Sequence, residues 1–123
     1  MVLSALAPRE YLQALEACGL KPLIADVEPD GPLPSVDSVG PLVAAGAKAI
    51  VLFYTLGALP GGDELFRLGV PVLEDVTQAV GGYWGEMPCG ARGRAAVLSL
   101  DPGGLITTGC GGAVFTPDRR SVK

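Results

Sequence analysis

The chain has 123 residues, enough for one domain to bury a hydrophobic core without disulfide bonds or a structural metal. Hydrophobic residues make up 49% of the sequence, charged residues only 18%, and the mean hydropathy is +0.42, so either both faces of a sheet are covered or apolar surface meets a partner subunit. The net charge of −4 disfavours a nucleic-acid backbone as partner, and the lack of histidine excludes histidine-based catalysis and most zinc sites.

The cysteines are odd in number, and none has the spacing of a metal or redox motif: Cys18, Cys89 and Cys110. We expect reduced thiols that serve mostly as small packing residues in a cytoplasmic protein. The start of the chain has no basic segment before its short apolar run, and the longest apolar stretch, residues 49–59, is too short to cross a bilayer. We therefore predict no signal peptide and no contact with a membrane.

Basic side chains are grouped at two places, as Arg92 with Arg94 and as Arg119 with Arg120. Such pairs are usually solvated loop charges. We expect that role for all four arginines, and we expect no nucleic acid as partner.

Short apolar runs alternate with amphipathic segments along the chain. In order, the pattern predicts a strand at residues 2–6, a helix at 8–18, a strand at 22–27, a turn-rich loop at 28–34, a short helix at 36–45, a strand at 49–54, a short helix at 63–68, a strand at 70–74, a helix at 76–80, a loop to residue 94, and strands at 95–100 and 112–116. Pro8 and Gly19 fit the two ends of the first helix, whereas Gly40-Pro41 should make the second helix irregular or broken.

The order of these elements predicts the fold class. Unbroken apolar strands separated by helices are typical of an α/β fold, a mostly parallel sheet with helices on both faces. The last two strands leave no room for a crossover helix between them, so we predict an antiparallel hairpin at the C-terminal edge. We interpret residues 1–123 as a single domain.

Ligands of open parallel sheets bind beyond the carboxyl ends of the strands, where two segments carry polar side chains. Asp75 and Gln78 lie three residues apart at a strand-to-helix junction. They can form a capping box at the helix start, or they can present a carboxylate and an amide to a heteroaromatic ring. The second segment is the glycine-rich loop from Ser99 to Cys110. We expect this cysteine to be buried, because nothing in the sequence supplies the cation that a reactive thiolate needs.

Four motifs in the second half of the chain follow one another with compatible spacing: Glu74-Asp75-Val76-Thr77-Gln78-Ala79, Gly90 to Gly93, Ala95 to Ser99, and Thr107 to Gly112. In this order they resemble the Glu-Asp-x-x-Gln-Ala, Gly-x-x-Gly, Ala-Ala-x-x-Ser and Thr-Thr-Gly-x-Gly-Gly motifs of the DegT-type sugar aminotransferases. Residues 18–30 and 47–57 resemble two further segments of the family. The resemblance therefore covers nearly the whole chain.

The resemblance implies part of the large domain of a fold-type-I enzyme, with pyridoxal phosphate as the family's cofactor. Family members move an amino group from glutamate onto a nucleotide-linked keto-sugar. The resemblance implies that Asp75 faces the pyridine nitrogen and keeps the ring protonated, that Gln78 contacts the ring-oxygen side, and that Ser99 donates to the phosphate. It also implies a lysine five residues after the serine, which holds the cofactor as a Schiff base. Gly104 occupies that position.

No other lysine replaces it in this comparison. The lysines are Lys21, Lys48 and Lys123, and the first two precede their strands, at the edge of the sheet away from the predicted site. The resemblance therefore implies a site without a catalytic residue. Asp75, Gln78 and Ser99 become vestigial cofactor contacts, and we expect no bound cofactor and no metal.

Other family positions are changed as well. Pro8 stands where an aromatic side chain would stack on the ring, and Arg94 and Cys110 stand where the family has acidic residues. The family's phosphate-binding segment would lie before Met1, and its small C-terminal domain would follow Lys123. Together these changes favour a decayed site over a working one, because the reaction requires many separate groups.

The sequence thus predicts a remnant of the aminotransferase large domain, without transaminase activity, that acts in binding or subunit assembly. The family's enzymes dimerise through this domain, so the expected partner is a second copy of the chain or a full-length aminotransferase homologue. One alternative is a pyridoxal phosphate-dependent sugar aminotransferase that is active only with a partner subunit. Another is a nucleotide-binding α/β domain, for which the signal is poor because residues 109–112 lack Gly-x-Gly-x-x-Gly spacing and precede a strand.

Overall fold

The computed structural model of the chain describes residues 1–117. Within this range the strands are β1 (Val2–Ser4), β2 (Leu23–Ala25), β3 (Ile50–Phe53), β4 (Val72–Asp75), β5 (Tyr83–Trp84), β6 (Met87–Pro88), β7 (Ala95–Ser99) and β8 (Gly112–Phe115). The helices are α1 (Arg9–Ala17) and α2 (Val36–Ala44), with short 3-10 helices at Thr55–Gly57 and Glu64–Arg67.

Six of these strands form one sheet in the order β2-β1-β3-β4-β7-β8. The first five of that order are parallel to one another, and β8 runs antiparallel to β7, with Ser99 opposite Gly112. The mostly parallel sheet and its C-terminal antiparallel hairpin are therefore confirmed. The carboxyl ends of the parallel strands meet at one edge of the sheet, which places Phe53, Asp75 and Ser99 side by side.

Helices cover both faces of the sheet, because successive side chains of a strand point to opposite sides. The cluster under α2 contains Val39, Ile50, Leu52 and Val72. The cluster under α1 contains Leu3, Leu15, Val51 and the half-buried Tyr11. Each fully buried aliphatic side chain of this kind stabilises the fold by about 1.5–3 kcal/mol.

The helix α2 is continuous, which corrects the prediction that Gly40-Pro41 would break it. Ser35 caps its start, where the hydroxyl Oγ accepts a hydrogen bond from the backbone N–H of Ser38 (3.1 Å). Pro41 removes the donor that would bond the carbonyl of Asp37. Both residues are exposed, so water can bond that carbonyl and the helix tolerates the loss.

The helix predicted at residues 76–80 does not form. Successive turns take its place, held by hydrogen bonds from Ala79 N to Val76 O and from Gly82 N to Ala79 O, both 2.9 Å. Five residues that end at a Gly-Gly pair are too short to offset the cost of helix nucleation. The loop that follows contains the small hairpin β5–β6, which the hydrophobic pattern did not predict.

The outer strands of the sheet are β2 and β8, and both expose apolar side chains. Ile24 is 52% exposed on β2, and Val114 and Phe115 are 71% and 51% exposed on β8. Among residues 1–117, no helix has the length and hydropathy that crossing a bilayer requires.

Candidate functional site

A cleft of about 560 Å³ lies at the carboxyl edge of the sheet, between α1 and the ends of β3, β4 and β7. Its apolar wall includes Phe53, Val97, Ala113 and Val114. Its polar wall includes Asp75, Thr77, Gln78 and Ser99. The structure thus brings together the three side chains that the sequence analysis named as vestigial cofactor contacts.

A second cleft of about 440 Å³ adjoins the first and contains Gly104. The two clefts share Thr77, Gln78, Ser99 and Asp101. Gly104, which the sequence resemblance assigns to the family's lysine position, therefore lies next to the candidate site.

Asp75 is the last residue of β4 and is only 6% exposed. Its Oδ1 accepts a hydrogen bond from the backbone N–H of Thr77 (2.8 Å), and its Oδ2 accepts one from the hydroxyl of Tyr11. Burial raises the pKa of Tyr11, and the hydrogen bond to Asp75 and the charge of that carboxylate raise it further. The phenol consequently remains a hydrogen-bond donor at neutral pH.

The capping box proposed for Asp75 and Gln78 is wrong. Asp75 bonds the N–H of Thr77 in a turn, and the side-chain oxygen Oε1 of Gln78 accepts from the backbone N–H of Leu56 at 2.5 Å. Gln78 therefore ties the turn after β4 to the turn after β3. The turn that it holds is strained, because Leu56 has φ = 56°, in the left-handed region that disfavours a leucine.

The adjacent Glu74 is fully buried, and four donors surround its carboxylate. Oε2 accepts from the Tyr54 hydroxyl (2.5 Å) and from Gly90 N (2.9 Å), and Oε1 accepts from Arg92 N (2.8 Å) and Gly93 N (2.5 Å). A buried carboxylate with this many donors holds the loop of residues 90–93 against β4. The glutamate of the Glu-Asp motif is thus a structural group.

Two glycines make this close approach possible. A Cβ on Gly93 would lie 2.5 Å from the carbonyl oxygen of Val72, and one on Gly90 would lie 2.9 Å from the Cβ of Ala96. Gly90 also has φ = +90°, which glycine adopts without strain. The Gly-x-x-Gly motif therefore has a packing explanation.

Arg92 departs from the expected role of a solvated loop charge. Its guanidinium bonds the carboxylate of Asp63 and stacks 3.9 Å above the ring centre of Trp84, and its side chain is 23% exposed. The aromatic ring and the acidic partner, both distant in sequence, draw it out of solvent. Arg94 is exposed, as expected, and Arg119 and Arg120 lie outside the described residues.

The expectation that the cysteines would pack in the interior is also wrong for two of them. Cys18 and Cys110 are exposed, and only Cys89 is half-buried; all three thiols are free. Cys110 lies in the glycine-rich loop, most of whose residues are exposed. Burial raises the pKa of the Cys89 thiol, and the charge of Glu74 adds to this effect.

The glycine-rich loop after β7 folds back on its own start. The carbonyl oxygen of Leu100 accepts from Thr108 N (3.1 Å) and from the hydroxyl of Thr107 (2.9 Å). The Ser99 hydroxyl donates to a carboxylate oxygen of Asp101 (2.8 Å). The Thr-Thr pair of the motif therefore shapes the loop, and Ser99 already has a partner within it.

Side-chain amines are far from this edge in the described part of the chain. Lys21 and Lys48 are exposed ahead of β2 and β3, at the amino edge of the sheet, and Lys123 lies outside the described residues. At Gly104 a Cβ would lie 3.2 Å from the carbonyl oxygen of Ile106, so a larger residue would need a small shift of the loop.

Sequence reasoning missed two contributors to the cleft. Tyr11 lies on α1 and was not among the predicted site residues, yet its hydroxyl reaches Asp75, 64 positions away. Thr77 accepts a hydrogen bond from Ser99 N (3.0 Å) and so joins the ends of β4 and β7. The tyrosine hydroxyl on an otherwise apolar helix face was the available signal for the first, since a buried hydroxyl needs a partner.

Comparison with known proteins identifies the family. A family model described as the DegT/DnrJ/EryC1/StrS aminotransferase family matches residues 11–123. The chain belongs to this family. An L-glutamine:2-deoxy-scyllo-inosose aminotransferase of Streptomyces fradiae is 33% identical over 101 residues, which are 79% of this chain and 24% of that protein. A UDP-4-amino-4-deoxy-L-arabinose–oxoglutarate aminotransferase of Shewanella sediminis is 32% identical over 104 residues, 81% of this chain and 26% of that protein.

Solved structures of the DegT family have the same fold. The aminotransferase TlmJ of Streptoalloteichus hindustanus is 30% identical with a TM-score of 0.85, over 95% of this chain and 33% of that chain. A Streptococcus pneumoniae protein solved in its PLP form has a TM-score of 0.88 over 99% of this chain and 36% of that chain; at 16% identity it supports the fold alone. This DegT-family chain thus spans about a quarter of the length of the curated relatives it matches.

The residues around the cleft do not fit covalently held pyridoxal phosphate. No side-chain amine lies at the cleft among residues 1–117, and the carboxylate of Asp75 already accepts hydrogen bonds from the Tyr11 hydroxyl and from Thr77 N. The charged side chains of the described lining are Glu10, Asp75 and Asp101, which disfavour a phosphate group.

Proposed function

We propose that this chain is an aminotransferase-like domain without transaminase activity, and that it acts in binding or subunit assembly. One observation carries the proposal: Gly104 stands beside the cleft at the position where the family motif has its lysine, and the described lining supplies no other amine. Without an amine the chain cannot form the imine that anchors the cofactor and shuttles its proton. Asp75, Gln78 and Ser99 are then inherited from a cofactor site, and each has a partner within the chain.

The test is covalent trapping. The native chain is incubated with equimolar pyridoxal phosphate, reduced with borohydride and mapped by peptide mass spectrometry. We expect only substoichiometric adducts on exposed amines such as Lys21 and Lys48. A stoichiometric adduct on any single amine of the native chain would overturn the proposal.

A matched variant makes a negative result informative. Gly104→Lys places an amine beside the cleft at the cost of a small loop shift, since the nearest atom to its Cβ is the Ile106 carbonyl at 3.2 Å. We expect this variant to be trapped at residue 104 under the conditions that leave the native chain unmodified. Trapping of both chains, or of neither, would not agree with the proposed cause of inactivity.

Exposed apolar surface supports a role in assembly. Large hydrophobic side chains are exposed at the carboxyl edge and on the outer strands: Ile24 (52%), Leu56 (84%), Leu105 (69%), Ile106 (49%), Val114 (71%) and Phe115 (51%). A single 123-residue domain rarely leaves this much apolar surface in water without a partner. We propose a second copy of the chain or a full-length aminotransferase homologue as that partner. Light scattering coupled to size exclusion should show a species heavier than one 12.5 kDa chain, and a strict monomer at every concentration would contradict it.

A second function has specific support, because Asp75, Gln78 and Ser99 converge on one cleft in a chain of this family. In this alternative the chain completes the site of a partner that supplies the lysine, and the complex transfers an amino group onto a keto group of a cyclitol or nucleotide-linked sugar. The full-length homologue is mixed with the native chain or with its Asp75→Asn variant. This alternative would be favoured over the first proposal if the native chain raised the transaminase activity of the homologue and the Asp75→Asn variant did not.

A further inference from the structure

The carboxylate of Asp75 is the most buried charged group that lines the cleft. It is 6% exposed, and the cleft that it lines also contains apolar side chains such as Phe53 and Val97. A carboxylate in such surroundings requires hydrogen-bond donors, and a ligand that carries a charged N–H would be a strong one.

The chain itself supplies the donor. The backbone N–H of Thr77 satisfies Oδ1 at 2.8 Å, and the Tyr11 hydroxyl bonds Oδ2 from α1, on the cleft side. The ring of Tyr11 packs beside Leu3 and Leu15 under the same helix, so its hydroxyl is held in place by the core. A ligand N–H that approached Oδ2 would have to compete with a preorganised internal donor.

We propose that Tyr11 is the specificity-determining residue of this cleft: its hydroxyl occupies Asp75 in place of a ring N–H and so excludes planar heteroaromatic cations. This inference rests on the proposed function, because it gives the cleft of the inactive domain its ligand preference. The effect concerns non-covalent recognition of the ring, so it does not prevent an amine placed at residue 104 from being trapped by an aldehyde.

The remaining charges of the cleft decide which probe tests this. Glu10 and Asp101 line the same cleft as Asp75, so the described lining repels a phosphate ester. Pyridoxamine is the appropriate probe, because it carries a pyridinium N–H, no phosphate and no aldehyde. Its lack of an aldehyde means that it forms no imine with any amine of the protein.

The experiment compares pyridoxamine affinity by isothermal calorimetry for the native chain, Tyr11→Phe, and the double variant Tyr11→Phe/Asp75→Asn. We expect Tyr11→Phe to bind at least about tenfold tighter than the native chain, because the freed carboxylate gains a charge-assisted hydrogen bond. The double variant should lose this gain, because an amide is a weaker acceptor for a cation.

A matched ligand separates this role from a purely structural one. 2-Hydroxybenzylamine keeps the adjacent amine and aromatic hydroxyl of pyridoxamine but has no ring nitrogen. Tyr11→Phe should bind it no tighter than the native chain does. Equal pyridoxamine affinity of the two chains, no binding by either, or a gain that 2-hydroxybenzylamine shares would each overturn the inference.

A second substitution guards against loss of the fold. Tyr11→Met keeps an apolar side chain in the packing space and also removes the donor. If Tyr11→Phe or Tyr11→Met melts cooperatively, its pyridoxamine affinity can be compared with that of the native chain. If both variants are unfolded, the contact between Tyr11 and Asp75 is structural and the inference is wrong. Failure of the proposed function is distinguishable, since it is seen as covalent trapping of the native chain and does not involve pyridoxamine.

Discussion

Glu74 and Asp75 are neighbours in β4, and they show two different uses of a buried carboxylate. Glu74 points to the face covered by α2, where four donors from Tyr54 and the loop of residues 90–93 surround it. Asp75 points to the face covered by α1, where it meets two donors and a cleft. The carboxylate of Glu74 already accepts four hydrogen bonds and has no capacity for a ligand, whereas that of Asp75 accepts two, one of them from Tyr11. In this Glu-Asp motif, the glutamate therefore stabilises the fold and the aspartate lines the cleft.

The sharpest way to break this comparison is to neutralise each carboxylate in turn. Glu74→Gln places an NH₂ group against N–H and O–H donors, so we expect a loss of about 2–4 kcal/mol in the free energy of unfolding. Asp75→Asn keeps one acceptor oxygen for the N–H of Thr77, and the Tyr11 hydroxyl can rotate to accept from the new NH₂ group, so the loss should be about 1 kcal/mol. Urea denaturation followed by circular dichroism measures both, and equal losses would mean that the two carboxylates do the same work.

The free energy of unfolding at high pH tests the hydrogen bonds that Tyr11 and Tyr54 donate to the two carboxylates. Burial is the largest cause that raises the pKa of Tyr11 and Tyr54 above the ordinary value of 10.0, and the bonds to Asp75 and Glu74 add to it. The folded state therefore retains two protons that the unfolded chain releases above about pH 10, and stability that is complete below that pH is lost as the pH rises. The unfolding free energy should fall by about 1.4 kcal/mol per pH unit for each tyrosine.

Single substitutions assign this slope to the two residues. Tyr54→Phe and Tyr11→Phe should each make the decline shallower by up to about 1.4 kcal/mol per pH unit between about pH 10 and 11, and the part that remains in both variants includes the half-buried Cys89 thiol. Denaturation midpoints at several alkaline pH values give the slope. A variant that declines as steeply as the native chain would show that its tyrosine ionises normally.

The ion pairs of Asp63 sharpen the architectural half of the comparison. Arg92 and Arg67 both bond this carboxylate, but the side chain of Arg92 is 23% exposed and that of Arg67 is 76% exposed. Arg92→Ala should cost about 1–3 kcal/mol and change the emission of Trp84, the only tryptophan, on which it stacks. Arg67→Ala is the control and should cost less than about 0.5 kcal/mol. If both variants melt alike and leave the fluorescence unchanged, Arg92 is an ordinary surface charge.

The smallest effect is expected on the cleft side, and it has the opposite sign. Leu56 is 84% exposed and has φ = 56°, so its side chain contributes little packing to offset the backbone strain. Asparagine tolerates this conformation, and Leu56→Asn should stabilise the fold by about 0.5–1 kcal/mol. Leu105→Asn, at an exposed leucine outside the left-handed region, should be nearly neutral. Thermal melts of the two variants provide the check.

The sheet could be read from the sequence because its strands are unbroken apolar runs. The four residues of β3 are all buried, and a run of that kind is typical of a strand with helices on both faces. The C-terminal hairpin could be predicted from the length of the segment between β7 and β8, because no crossover helix fits there. A helix was predicted at residues 76–80, where turns form, because helix caps and turns favour the same residue types.

The site was predictable in its position and not in its contacts. Strand ends placed Asp75 and Ser99 together, but the partner of Asp75 is Tyr11, and no local rule links residues 64 positions apart. The burial of Glu74 could have been deduced from its alternation with Val72, which is also buried. Its four donors could not, because they depend on how the loop of residues 90–93 packs.

The outer position of β8 has a practical consequence for handling this protein. Backbone N–H and C=O groups on the outer side of an edge strand such as β8 have no partner strand, and the exposed side chains of Val114 and Phe115 place an apolar surface beside them. An edge strand of this kind can pair with β-strands of other molecules, so concentrated samples should become turbid through cross-β aggregation. Phe115→Lys would act as a gatekeeper and keep the preparation clear, and Phe115 does not line the cleft of Asp75.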